Sequence, residues 1–421
     1  MKKTIAILLV TVMLLSLSAF AFADEPTVMR LSWNSGSDSA ARNVVLNDLL
    51  DEFNATNEYN VKFELELYEP ETYKTVVPTL MTQNNMADVF FASNYGFVEP
   101  YVKAGKVYCL DEEFEKDPEW LDRFGTKILE GVTFDGKIYG LSHSTTWYPT
   151  YYNKEIFNKL NLQVPTTWDE FIAVCDTLIE NGITPLAMGG QTPWVMGQFL
   201  LRLVAGVGGS ETYNAIRSGE IKWTDPKFIE AGELLQSLVE KGIFEENFSG
   251  ISYDEAISLF TSGQTAMYHM GTWITSMLIS EMGADNIGVF YMPAYYEENS
   301  DSNLCATGNS LFIAETCKNK EAACALIKMF GESKWAQRLF LEAGIFPASS
   351  KVEFDPELVD PISRAILALN GEQEVNVFTP FDILFGENVG GEFNNISVAI
   401  STGKDVTEQF EHLQEYAEDE G

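Results

Sequence analysis

Histidine is nearly absent from this chain. There are three, His143, His269 and His412, and no two are spaced to share a metal ion. No HExxH helix or paired CxxC motif occurs, so the sequence offers no zinc framework. A GxxxxGK[ST] phosphate loop and a GxSxG nucleophile elbow are also missing. GVGGSE (206–211) resembles a glycine-rich loop only superficially and reads as a plain turn. Cysteine is sparse and odd in number: Cys109, Cys175, Cys305, Cys317 and Cys324. Their spacing sets no disulfide framework. Cys175 and Cys324 fall on apolar helix faces, where a thiol acts as a small hydrophobe. Cys305 with Cys317 is the one candidate disulfide.

Positive charge is scarce as well. Lys and Arg number 27 against 62 Asp and Glu, a net charge of −35. Such a field repels nucleic acid and anionic membrane surfaces. Solubility is its plain meaning, and attraction of a cationic ligand is the second. Long apolar runs are missing too, except at the start. There, MKKTIAILLVTVMLLSLSAFAFA (1–23) has two lysines, an apolar stretch and a small-x-small ending. This is the pattern of a cleavable signal peptide. The first cysteine is Cys109, so no lipoprotein cysteine follows the leader. The expectation is an exported protein, periplasmic or extracellular and peripheral to the membrane. The remaining length suits two domains or three.

VMRLSW (28–33) reads as a strand and NSGSDS (34–39) as a loop. Val45, Leu46, Leu49, Leu50 and Phe53 have helical spacing. VKFELELY (61–68) alternates as a strand. Residues 73–84 read as a helix that Pro78 kinks or breaks. ADVFFAS (87–93) is a continuous apolar strand. This β-α-β-α-β order predicts a parallel sheet covered by helices. The middle of the chain repeats the logic. Thr167 and Glu170 form a capping box, and Asn181-Gly182 stops the helix that follows. TPLAMGG (184–190), TAMYHM (265–270) and LFIA (311–314) read as strands. The C-terminal part is mainly helical, with acidic YAEDEG (416–421) as a frayed tail.

Aromatic residues carry the chemistry. Of eight tryptophans, Trp120, Trp168, Trp223 and Trp335 sit in helix-like or turn segments and read as packing. Trp33, Trp147, Trp194 and Trp273 sit at strand ends or loops, beside small or amide residues. In GQTAMYHMGTW (263–273) a buried strand ends on Gly271, which lets the chain leave the sheet just before Trp273. Open α/β sheets bind ligands outside the carboxyl ends of their strands. A flat ring with a polar edge suits a sugar, stacking on its C–H face while polar side chains meet its hydroxyls. Taken singly, each Trp is more often core than platform. Four in one topological position reverse that, Trp33 being the weakest. Asn34, Asn94, Tyr95, Gln191 and Asn309 also follow predicted strands, where a turn amide is the plain alternative. Among the acids only Asp382, in FTPFDILFG (378–386), stands out in an apolar setting. A glycosidase needs two converging carboxyls, and no motif supplies them.

These residues match a family. MADVFFASN, YYNKEIFNKLNLQVPTTWDEF, LFTSGQTAMYHMGTW and TGNSLFIAETCKNKEAACALIKMFGESKW run in order along the chain. Through them it resembles the extracellular solute-binding proteins of ABC transporters, in the carbohydrate-binding group with the maltose- and multiple-sugar-binding proteins. The resemblance implies an α/β, two-lobe periplasmic-binding-protein fold of type II. Each lobe would be a mainly parallel sheet flanked by helices, with the ligand cleft between them. The implied lobes are 24–147 with 306–349, and 148–305 with 350–421. A small-molecule carbohydrate is the implied ligand, held by hinge closure. ABC permease transmembrane subunits are the implied partners of a monomeric receptor. No catalysis, cofactor or metal is implied.

By position, Trp273 and Trp194 fall where the family places cleft aromatics. Asn94 and Tyr95 fall where the first lobe offers hydrogen bonds, and Asn34 and Ser35 lie on a cleft-facing loop. Trp147 lies where the chain first crosses between lobes. Gly308 and Asn309 lie on the return crossing, where Asn309 departs from the family's small residue. Gln191 flanks Trp194, and Asp382 is a loose match. Two alternatives stay open: the same fold binding a cationic solute, and a secreted carbohydrate-active enzyme. Cleavage after Ala23 predicts a secreted chain beginning at Asp24, which intact-mass analysis checks; a retained leader would contradict it.

Overall fold

The computed structural model describes residues 25–124, 126–303, 305–306, 309–349, 351–370 and 378–420. The leader (1–23) and Gly308 lie outside the described residues. The strands of the three larger sheets are β1 (Thr27–Asn34), β2 (Val61–Tyr68), β3 (Val89–Ser93), β4 (Gly140–Leu141), β5 (Ser144–Trp147), β6 (Thr150–Asn153), β7 (Thr184–Leu186), β8 (Thr265–His269), β9 (Ile287–Phe290), β10 (Cys305–Ala306), β11 (Asn309–Ile313) and β12 (Phe346–Pro347). The first sheet has the order β2-β1-β3-β11-β4 and the second β9-β6-β8-β7. A narrow third sheet, β10-β5-β12, carries the chain across: β5 follows the first sheet, β10 returns to it, and β12 leaves again.

Each lobe has its own apolar core. In the first, Met29, Leu31 and Trp33 of β1 meet Val45, Leu46, Leu49, Leu50 and Phe53 of helix α1 (Ala40–Thr56). These are the helix positions that the periodicity selects. Helix α2 (Pro70–Thr82) starts on the Glu69 side chain and runs on through exposed Pro78, without the predicted break. In the second lobe every residue of β8 is buried, because β6 and β7 flank it and helices cover it. The capping box of Thr167 and Glu170 forms as expected. Helix α3 (Pro193–Arg217) is a long element in which GVGGSE is a kink rather than a free turn: Gly209 at φ 63° joins two helical pieces. Helix α4 (Tyr253–Thr261) precedes β8. Helices α5 (Phe381–Leu384), α6 (Gly386–Ser401) and α7 (Val406–Glu420) pack Phe381, Phe393, Ile400 and Phe410 into the second core.

Several expectations are corrected. The sheets are mixed rather than mainly parallel. In the first, β1 pairs β2 and β3 in parallel, while β11 runs antiparallel to β3 and β4. In the second, only β7 with β8 is parallel. The extra antiparallel pairs come from strands that enter from the crossing segments. The acidic tail is helical to Glu420, where Lys222 holds Glu418 at 3.0 Å. Cys317 is a free thiol, so the candidate disulfide is not formed. Cys175 is buried, and burial pushes its thiol up to about 12.

The lobes also meet tightly away from the crossing strands. A Cβ on Gly96, just after β3, would lie 2.6 Å from the backbone of Phe385 and Gly386. Only glycine permits that approach. Gly96→Ala should therefore lower stability by about 1–3 kcal/mol through overpacking, read as a lower urea midpoint; an unchanged midpoint would count against this contact.

Candidate functional site: the interlobe cleft

A cleft of about 560 Å³ opens between the lobes at the carboxyl ends of their strands. Such a volume is within the ordinary range for small-molecule sites. Of the ten residues singled out from sequence, six line it: Asn34, Ser35, Trp194, Trp273, Asn309 and Asp382. Asn34 ends β1, and its side-chain Oδ1 is buried without a hydrogen-bond partner. Asn309 begins β11, where its Oδ1 accepts from Ser93 Oγ at 3.1 Å.

The two platform tryptophans form one corner. Their ring centroids lie 6.1 Å apart with planes at 58°. Tyr253 lies 5.2 Å from Trp194, and Tyr148 meets Trp273 edge-on at 5.6 Å. Trp273 is on a short turn, Thr272–Ile274, directly beyond β8. Gly271 has an ordinary φ of −69°, so it is not needed for the turn itself. Its role is close approach: a Cβ there would fall within the Trp273 ring. Glycine thus lets the indole fold back over the strand end and face the cleft. Trp194 is in the first turn of α3 rather than on a loop.

One indole N–H is tied across the cleft directly and the other through a tyrosine of its own lobe. Trp194 Nε1 donates to Glu71 Oε1 of the first lobe at 3.2 Å. Trp273 Nε1 donates to Tyr253 Oη at 2.8 Å, and Tyr253 Oη donates to Asp38 Oδ2 at 2.8 Å. A third bridge runs from Ser37 Oγ to Asp254 Oδ1 at 2.6 Å. Sequence reasoning missed Asp38, Glu71, Tyr253 and Asp254. Asp38 is in a single 3-10 turn, Ser37–Ser39, within NSGSDS, whose composition signals only a loop. Tyr253 and Asp254 follow the Ser252–Glu255 capping box, whose signature is that of a helix start and hides any second role.

Electrostatics follow from burial. Desolvation pushes the Arg42 guanidinium down to about 10, against the pull of Asp38. Desolvation, with Arg42 adding, lowers His143 to about 3, so the imidazole on the cleft floor is neutral at pH 7. Burial and then Asp38 raise the Tyr253 phenol well above its usual value, which keeps it a donor. Burial raises Asp382 although Lys74 and Asn394 oppose it, and burial likewise raises Glu387. Burial disfavours the Lys74 ammonium, yet Glu71, Asp382 and Glu387 together hold its pKa above the usual value. No group of three His, Cys, Asp or Glu among the described residues could hold a metal ion.

The other four sequence-selected residues do not line the cleft. Asn94 is fully buried and donates to Ser142 Oγ at 3.3 Å, inside the first lobe. Tyr95 adopts φ 50° and lies beneath the Arg217 guanidinium, 5.6 Å from its ring centroid. Trp147 is on β5 opposite Cys305 and packs against the second core. Gln191 is exposed, and its backbone N–H donates to Ile251 O at 3.0 Å. Their strand-end positions are as expected, but the local turns aim the side chains elsewhere. Trp33, the weakest of the four strand-end tryptophans, is core: it stacks on Phe91 at 4.4 Å and is buried although it borders the cleft.

Two lobes on separate sheets, three crossing strands and a cleft at the strand ends define a two-lobe solute-binding protein. The chain belongs to the bacterial extracellular solute-binding protein family, whose model matches residues 36–337. It is 32% identical over 226 residues to the uncharacterized ABC transporter extracellular-binding protein PH1039 of Pyrococcus horikoshii. That match spans 52% of this chain and 51% of the relative, about half the length of each. The multiple sugar-binding protein of Streptococcus mutans is 24% identical over 288 residues, 67% of each chain. Among solved structures, a chain from work on xylan utilization by Caldanaerobius polysaccharolyticus superposes with a TM-score of 0.85 at 25% identity. It covers 92% of this chain and 99% of that one. A chitin oligosaccharide binding protein superposes at 0.83 and 25% identity, covering 93% and 98%.

Tyr253→Phe keeps the ring but removes the oxygen that joins Trp273 to Asp38. A hydrogen bond to a charged group contributes about 1.5–3 kcal/mol. The substitution should lower the unfolding free energy by roughly that amount or less, and alter the near-ultraviolet circular dichroism of the tryptophans. Unchanged spectra and stability would contradict the relay.

Proposed function

We propose that this chain is the receptor of an ABC importer, binding a sugar or oligosaccharide between its lobes and delivering it to a membrane permease. The observation that carries this is the Trp194–Trp273–Tyr253 corner, set beside hydroxyls, amides and carboxylates at the strand ends. A sugar ring has an apolar C–H face and a polar rim. Stacking removes the face from water, worth on the order of 1–3 kcal/mol per ring. Asn34, Ser35, Asn309 and Asp382 then order the rim hydroxyls. The printed names of the relatives, multiple sugar-binding and chitin oligosaccharide binding, support the same ligand class. The mechanism is binding and release, not bond cleavage.

In this proposal the lobes are 24–147 with 306–349, and 148–305 with 350–421. The crossing strands β5, β10 and β12 act as the hinge. Closure brings Asp38, Glu71 and Ser37 onto their partners in the second lobe. The closed form is then the one the permease recognises. The protein works as an exported monomer at the outer face of the membrane, without a cofactor. A second reading, a cationic solute, is favoured by one observation: the carboxylates on the cleft wall outnumber the cations.

A thermal-shift panel separates the two. Xylo-, chito-, malto- and raffinose-type oligosaccharides are tested against spermidine and putrescine, and a sugar should give the largest shift. Calorimetry on Trp273→Ala should then show binding weakened tenfold or more, about 1.4 kcal/mol, in a folded protein. Undiminished affinity would sink the assignment of Trp273.

A further inference from the structure

We propose that the cleft selects its solute by charge, admitting neutral and cationic sugars and rejecting those that carry a carboxylate or phosphate. This inference rests on the reading that the cleft binds a sugar. The lining includes the carboxylates of Asp38, Glu69, Glu71, Asp254, Asp382 and Glu387. Against them stand two cations, Arg42 and Lys74. An anionic ligand would need one of these free, and both are engaged. Arg42 Nη2 donates to Asn34 O at 2.6 Å and to Ser39 Oγ at 2.8 Å, beside Asp38, and its Nε is buried beneath the lining without a partner. Lys74 Nζ lies 3.4 Å from Glu71 Oε1 and is held further by Asp382 and Glu387.

The floor supplies no cation either. His143 is buried, 6% exposed, and neutral. Its Nδ1 has no hydrogen-bond partner, and neither does Nε1 of Trp33, which is 1% exposed. These two buried atoms are uncharged and give an anion no compensating charge. Carboxylates accept readily from sugar O–H groups, whereas a second carboxylate beside them meets like charge in a partly desolvated space. The net charge of the whole chain, −35, adds to this field.

The test pairs neutral sugars with acidic counterparts on the wild-type protein by calorimetry at low and high salt. Xylotriose is set against an aldotriouronate, cellobiose and maltotriose against their terminal C6 uronates, and diacetylchitobiose against its deacetylated, diammonium form. Spermidine is included as a non-sugar cation. A neutral sugar that binds should lose at least tenfold in affinity, about 1.4 kcal/mol, on gaining a carboxylate. The gap should narrow with salt. The ammonium form should bind no worse than its neutral parent. Glu387→Gln should narrow the gap between neutral and acidic members severalfold. A uronate that binds as well as its neutral partner overturns the charge rule and leaves the sugar reading intact. Binding of spermidine with every sugar silent overturns the sugar reading and the charge rule for sugars with it. Silence from all probes counts against both.

Discussion

The structure turns on one oxygen. Tyr253 Oη accepts from the indole N–H of Trp273 and donates to Asp38, and so joins a cleft-lining ring in one lobe to a carboxylate in the other. Trp194 is tied to Glu71 in the same sense. The orientation of the aromatic corner is therefore not set by one lobe alone. It exists where the lobes meet, and it would loosen if they parted. In the function proposed above, a surface built this way would couple two events that need not be coupled, stacking on a ligand and closing around it. Under that proposal, such coupling would turn binding energy into a change of shape that a permease can read.

The backbone makes that corner possible by close approach. Gly271 allows the Trp273 ring to lie over the end of β8, and Gly96 lets the segment after β3 touch the start of α6. Neither glycine is needed for an unusual φ; both are needed because a Cβ has nowhere to go. The same logic places polar chemistry at the rim and apolar packing beneath. Trp33, Phe91 and Phe330 stack under the first lobe's edge, so the loop carrying Asn34, Ser35 and Asp38 rests on a rigid base.

Much of this was legible in the sequence, for identifiable reasons. Periodicity fixed α1 residue by residue, and the capping box fixed the helix that begins at Trp168. Trp273 could be found because a buried strand runs out into Gly271, two residues before it. Trp194 was found by its place after a strand, although the helix that holds it was not, since its glycines obscure the helical pattern. Asn94, Tyr95, Trp147 and Gln191 have the right positions but point elsewhere, because side-chain direction after a strand depends on one or two turn dihedrals. The bridges Ser37–Asp254 and Asp38–Tyr253 join residues more than 200 apart, so no local pattern encodes them. The acidic tail was misjudged because its composition is that of a solvated end, while a single ion pair to Lys222 accompanies a regular helix.

The central claim is that a sugar sits between the lobes with a ring against the Trp194–Trp273 corner. A crystal structure with the best-binding oligosaccharide tests it most directly. The account predicts a pyranose face stacked on Trp273, its hydroxyls within hydrogen-bond reach of Asn34, Asn309 or Asp382, and the Tyr253–Asp38 bond intact. A ligand bound outside the cleft, or one held there with no contact to either tryptophan, would contradict it.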